Sequence, residues 1–190
     1  MSATIIDGTR VAKDLLAQTR QRAMQVDTTI GRKPCLATVL IGDDPASHTY
    51  VRMKTNRCRT AGLDSRSHHL PAATTTTEAV ALVESLSRDP GVDGIFVQHP
   101  VPTHIDERAV FEAIRPGKDV DGVTAASFAS MALGSNGFRS CTPAGIMLLL
   151  DSFDIDIAGR YAVVVGRSPI LGKPVGMLLL GRDATVTFCH

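Results

Sequence analysis

Apolar positions along this chain alternate between helical spacing and short, nearly continuous runs. After the turn-like Asp7-Gly8, Val11, Leu15, Leu16 and Ala23 recur at roughly helical spacing, so Asp7 to about Val26 predicts an amphipathic helix. "CLATVLIG" (Cys35 to Gly42) is short, apolar and partly β-branched, as in a buried strand. In "DDPASHTYVRMKTNRCRTAGL", Asp44 suits a cap, Pro45 a first turn and Gly62 a stop, which bounds a second helix. A strand near Ser67 to Leu70, a helix from about Thr77 to Arg88, the strand "GIFVQHP" (Gly94 to Pro100) and a helix from about Asp106 to Ile114 follow.

Such alternation predicts an α/β fold, a mainly parallel sheet with flanking helices in an N-terminal domain. "CTPAGIMLLLDSF" sets Thr142 before Pro143, a capped helix start that leads to a second unit. There "YAVVVG" (Tyr161 to Gly166) reads as a strand, "GKPVGMLLLGR" as a helix and "ATVTFC" as the next strand. No internal repeat is evident.

Composition narrows the class. The chain has 190 residues, 44% hydrophobic and 21% charged, with a formal net charge of +1, which fits a soluble globular protein and implies neither a nucleic-acid nor an acidic partner. No apolar run reaches the roughly 18 residues of a spanning helix, so no membrane partner is expected. "MSATIIDGTR" lacks a basic segment followed by an apolar one, so a cytoplasmic location is the expectation. Cys35, Cys58, Cys141 and Cys189 lie far apart without CxxC spacing, as reduced, mostly buried thiols would, and no metal site is expected.

Candidate chemistry gathers at three places. In "VVVGRSPILGKP" a strand, a glycine turn and a helix would present backbone N–H groups and a helix dipole to a phosphate. A triphosphate loop needs four residues before its Gly-Lys pair and then Ser or Thr, whereas five lie between Gly166 and Gly172 and Pro174 follows Lys173. The GxGxxG fingerprint fails too, with Ser168 in its second glycine position. Gly166 and Gly172 could still let backbone approach a pyrophosphate, with Arg167 and Ser168 reaching a 2′-phosphate; a tight structural turn is the alternative.

Second, Tyr50 and Lys54 stand four residues apart on one helix face. A lysine lodged at a sheet's carboxyl ends can lose proton affinity by desolvation and serve as an acid or base, or it can be an ordinary solvated lysine. Third, Gln98 ends a strand stopped by Pro100 and Pro102, and "RPGKDVDGVT" brings Asp119 and Asp121 to a turn. Asp121 could be a turn former or an acceptor for an amidine-like ring edge.

Taken in order, "SHTYVRMKTNRCRTAGL", "GIFVQHPVP", "PGKDVDGVT", "CTPAGIMLLL", "VVVGRSPILGKPVGMLLL" and "ATVTFCH" resemble the bifunctional methylenetetrahydrofolate dehydrogenase/methenyltetrahydrofolate cyclohydrolase family over nearly the whole chain. The resemblance implies that Lys54 is the central catalytic group, that Tyr50 lies over the folate, that Gln98 supports the lysine and that Asp121 holds the pterin. It implies that Gly166, Arg167 and Ser168 bind NADP, and Gly172 at the helix entrance joins them as a candidate from the glycine turn. The activity implied is oxidation of 5,10-methylenetetrahydrofolate to the methenyl compound and its hydrolysis to 10-formyltetrahydrofolate.

The same resemblance implies a folate-binding catalytic domain over 1–140 and the start of a Rossmann-like NADP-binding domain over 141–190. Tetrahydrofolate derivatives would be the partners, and a homodimer the assembly. The family's nucleotide domain continues past the residue matching His190, so this one is expected to be incomplete, with an unpaired sheet edge and exposed apolar surface. A fragment that binds folate without a complete dinucleotide site is the alternative. His99 stands where the family more often has an apolar residue and is expected to be a tolerated neighbour of Gln98.

Overall fold

The computed structural model describes residues 3–190; Met1 and Ser2, part of the stretch read as lacking a secretory signal, lie outside the described residues. A first helix, α1 (Gly8–Ile30), starts where the Asp7 carboxylate accepts the Thr9 and Arg10 amides at 3.0 and 3.1 Å and stops at Gly31, whose φ is +73°. It runs a turn beyond the expected Val26. The fold divides into two compact units, one of residues 15–119 and the other of residues up to 14 with 120–190.

The sheet of the 15–119 unit is built from β1 (Cys35–Ile41), β2 (Asp64–Leu70) and β3 (Gly94–Val97), all parallel, in the order β2-β1-β3. β1 is central and almost wholly buried, which is why its sequence is a continuous apolar run. α2 (Pro45–Thr60) links β1 to β2, and α3 (Thr76–Arg88) returns past β1 to β3. Chain direction across the sheet therefore reverses between β1 and β3, the point at which open α/β sheets bind ligands beyond the strands' carboxyl ends.

Local signals explain the helix ends. Asp44 accepts the Ser47 amide at 2.7 Å and Pro45 occupies the first turn of α2. α3 starts at a capping box in which Thr75 and Glu78 bond reciprocally, holding the Glu78 carboxyl below its ordinary range through the Thr75 amide. β2 begins three residues before the expected Ser67; it is an edge strand with alternating exposure, so its start lacks the apolar run that marks β1. α4 (Glu107–Glu112), capped by Asp106, packs on α3.

Ala37, Val39, Val83, Val92, Ile95 and Val110, each at most 1% exposed, form the centre of this unit's core. At the amino ends of β1 and β3, Arg32 pairs with Asp93 through two contacts of 2.6 and 2.9 Å, and Asp93 also accepts the Cys35 amide at 2.8 Å. Arg32 holds the Asp93 carboxyl below the usual carboxylate range.

The other unit carries α5 (Ala125–Ala132), α6 (Cys141–Ser152), β4 (Tyr161–Val165), α7 (Gly172–Leu180) and β5 (Thr185–Cys189), with β4 and β5 parallel. Met131, Met147, Ile157, Leu178 and Ala184 form its core. Thr142 is not the cap of α6. Ser140 holds that position, and its hydroxyl donates to the Gly122 carbonyl at 2.9 Å instead of capping. α5 carries no strong apolar period and was not foreseen. Tyr161, Val163, Val165 and Phe188 of β4 and β5 are exposed. Of the thiols, Cys35 and Cys58 are buried, and burial raises both their pKa values; Cys141 and Cys189 are exposed, contrary to expectation, and none of the four is in a disulfide.

Two outcomes follow. Ile95→Ala, at a fully buried site on β3, should cost about 2–5 kcal/mol in urea unfolding followed by circular dichroism. Because Asp93 has its pKa lowered in the folded state, its contribution is present above its unfolded pKa near 3.9 and is lost as pH falls through the lower folded value. Arg32→Ala should therefore reduce the loss of stability on acidification below about pH 4, read from unfolding midpoints across that range.

Candidate active site

Lys54 lies on α2, and its Nζ stands 3.1 Å from the centre of the Phe96 ring on β3, well inside the range of a cation–π contact. Phe96 is buried and Lys54 half-buried, so the amine is held at a fixed place on the sheet rather than swinging in solvent. Tyr50, one turn earlier on the same helix, is 53% exposed. Its ring is available to something outside the fold.

Two residues beyond Phe96, at the reversal point between β1 and β3, Gln98 leaves the strand. Its amide N–H bonds to the Val39 carbonyl at 2.8 Å, and its side-chain Nε2 donates to the His99 carbonyl at 2.5 Å. Gln98 is buried, yet its Oε1 accepts no hydrogen bond among the described residues. An unpaired buried acceptor costs about 1–3 kcal/mol. His99 is turned to Glu107, with Nδ1 2.5 Å from Oε1, the same oxygen that accepts the Val101 amide at 3.3 Å. This fixes the loop after β3 and leaves Gln98 as the buried polar side chain there.

The "KDVDG" segment separates into distinct tasks. Lys118 donates to the Leu86 and Asp89 carbonyls at 3.2 and 2.6 Å, a cation at the carboxyl end of α3. Asp119 is completely buried and forms a bridge with Ile95. Asp121 belongs to the other unit and is only partly buried; its carbonyl accepts the Cys141 amide at 3.3 Å, which ties it to the start of α6. The turn depends on Gly122, at φ +66°, where a Cβ would lie 2.5 Å from the Arg139 carbonyl carbon and the Ser140 nitrogen.

In that same unit, β4, a turn and α7 form the strand, glycine turn and helix that the sequence predicts. Gly166 has φ +138° and open space where a side chain would project. Arg167 and Ser168 are exposed. A Cβ on Gly172 would stand 2.6 Å from the Gly166 carbonyl oxygen and 2.9 Å from the Arg167 nitrogen, so α7 approaches the end of β4 only because residue 172 is glycine. The Lys173 amide bonds to the Ser168 carbonyl at 3.0 Å and closes the loop. Sequence reasoning missed Phe96, whose role rests on helix packing and leaves no motif.

One unit is a parallel sheet with a lysine packed on its third strand, and the other carries a strand, glycine turn and helix of the α/β kind. Two sequence profiles match: the catalytic domain of tetrahydrofolate dehydrogenase/cyclohydrolase over residues 6–121 and the NAD(P)-binding domain of the same enzymes over 140–190. The chain belongs to the tetrahydrofolate dehydrogenase/cyclohydrolase family.

Among its relatives, bifunctional protein FolD 1 of Salinispora arenicola is 60% identical over 190 residues, covering 100% of this chain and 68% of that protein. FolD 1 of Streptomyces avermitilis is 59% identical, covering 100% and 66%. The crystal structure of the bifunctional FolD enzyme of Campylobacter jejuni superposes with a TM-score of 0.96 at 38% identity, over 100% of this chain and 67% of that one. A Trypanosoma brucei methylenetetrahydrofolate dehydrogenase-cyclohydrolase, complexed with NADP cofactor and inhibitor, superposes with a TM-score of 0.94 at 34% identity, over 100% and 65%. The chain thus spans about two thirds of the length of these relatives. Among the described residues, no helix is long and apolar enough to cross a membrane.

Gly172→Ala should push α7 off the β4 turn and lower stability by about 1–3 kcal/mol, as overpacking does. Gly181→Ala is the control, since there an added Cβ meets its nearest atom at 3.4 Å. Thermal unfolding of the two variants should show a lowered midpoint for the first alone.

Proposed function

We propose that this chain is a bifunctional enzyme of folate one-carbon metabolism: it oxidises 5,10-methylenetetrahydrofolate with NADP and hydrolyses the methenyl product to 10-formyltetrahydrofolate. The observation that carries this reading is the Lys54 amine held over Phe96, two residues from a buried glutamine whose acceptor lacks a donor. Membership of the family supports it. The alternative, folate binding without a complete dinucleotide site, is not favoured, since the chain matches the bifunctional enzymes over its whole length and their NAD(P)-binding domain over 140–190.

NADP supplies the hydride acceptor when bound. The turn at Gly166, Arg167, Ser168 and Gly172 suits its phosphates, since the space at Gly166 is open and the exposed arginine and serine offer charge and a hydroxyl to a 2′-phosphate. For the oxidation, the protein's task is to hold two flat rings in an attack geometry. Tyr50, with its exposed ring, would lie over the folate, and Asp121 would accept hydrogen bonds from the pterin edge.

For the hydrolysis, water adds to the methenyl carbon, the bond from that carbon to N5 breaks, and the formyl group remains on N10. A proton must leave the incoming water and another must reach N5. Lys54 is the group we assign to that traffic, with Gln98 orienting it. We assign the folate-binding catalytic domain to 1–140 and the start of the NADP-binding domain to 141–190. A homodimer in the cytoplasm completes the proposal.

The purified protein, given methylenetetrahydrofolate and NADP, should form NADPH. Lys54→Ala should lower cyclohydrolase turnover by about 10²–10⁴-fold while calorimetry still detects folate binding. Full turnover in that variant would remove the lysine from the mechanism.

A further inference from the structure

We propose that Asp43, His48 and His69 form a site for a divalent transition-metal ion of the zinc type. The three come from different segments. The register of β1 on β2 pairs Ile41 with Leu70, and the Gly42 amide bonds to the Leu70 carbonyl at 2.9 Å, which brings His69 beside the residues that follow β1. Asp44 and Pro45 then start α2, and its first turn delivers His48 to the same spot.

The ligand atoms converge: all three lie within 4.8 Å of one another. His69 Nε2 is 3.2 Å and His48 Nε2 3.9 Å from Asp43 Oδ1, and His69 Nε2 is also 3.0 Å from the Gly42 carbonyl oxygen. A tetrahedral zinc ion with ligand bonds of about 2.0–2.2 Å has ligand-to-ligand edges of roughly 3.3–3.6 Å. Two of these separations lie near that edge, and small rotations of exposed side chains bring in His48. The rings meet edge to face with centroids 4.9 Å apart, so they converge on one carboxylate without stacking.

Two imidazoles and a carboxylate suit zinc, nickel or cobalt rather than the all-oxygen shells of calcium and magnesium. Side-chain exposures of 45% for His48, 47% for His69 and 73% for Asp43 leave room for water to complete the shell, with the Gly42 carbonyl as a further donor. An ion there would clamp the first turn of α2, the helix that bears Tyr50 and Lys54, to the ends of β1 and β2.

Tag-free protein titrated calorimetrically with zinc chloride should bind one equivalent, and cobalt(II) should develop the visible bands of nitrogen- and oxygen-ligated metal. His48→Ala and His69→Gln should each weaken binding at least about tenfold, and the double variant should abolish it. All three sites are exposed, so metal-free circular dichroism should match the parent; Asp43→Asn carries the same test should a histidine variant fail to fold. Binding no tighter than about 1 mM in the parent, or unchanged affinity in the double variant, as from the exposed Cys141 and Cys189 thiols, would overturn the site.

Discussion

The parallel register of β1 between β2 and β3 is the constraint on which the rest of the 15–119 unit depends. β1 is buried on both faces, and a slip of one residue would exchange the side chains that each face packs against its neighbours. The register decides what stands at the carboxyl end. Gln98 follows β3 and is bonded to Val39 of β1, while His69 on β2 reaches the carbonyl of Gly42 just after β1. The position of Lys54 depends on it too, because α2 packs on β1 and β2 and the amine's seat is a ring of β3.

Legibility in the sequence followed burial. β1 and β3 read from their apolar runs because β3 is wholly buried and β1 nearly so, though β3 ends at Val97 rather than at the expected Pro100. α2 read from Asp44 and Pro45, and the Thr75–Glu78 capping box of α3 lies just ahead of the expected start at Thr77. β2 read only in part, since an edge strand with alternating exposure carries polar residues, Asp64 to Ser67, that look like loop. The cap position of α6 is Ser140 rather than the expected Thr142. The Ser140 hydroxyl is recruited by a carbonyl 18 residues earlier, a long-range bond that no local rule contains.

The site divides along the same line. Helix spacing, a strand end and a glycine pattern single out Tyr50, Lys54, Gln98 and the glycine turn as candidates, and only the family resemblance gives them roles, whereas Phe96 beneath the lysine carries no mark at all, because an aromatic in a strand reads as core. Asp43, His48 and His69 are equally silent. Twenty residues separate His48 from His69, and only strand pairing brings them together. The opposite holds at Gly172, where the sequence names the residue and the coordinates supply the reason: an atom that must be missing for α7 to meet the end of β4.

Gln98 closes the physical argument. Its backbone is fixed by Val39, its Nε2 by the His99 carbonyl, and the loop beyond it by Glu107. With so much holding the residue, the bare Oε1 is not slack in the packing but an acceptor kept in place at a stability cost of about 1–3 kcal/mol. Such a cost is recovered when a donor arrives. A donor arriving at the carboxyl end of β3, two residues beyond the ring that seats the Lys54 amine, would meet that one amide oxygen already in place.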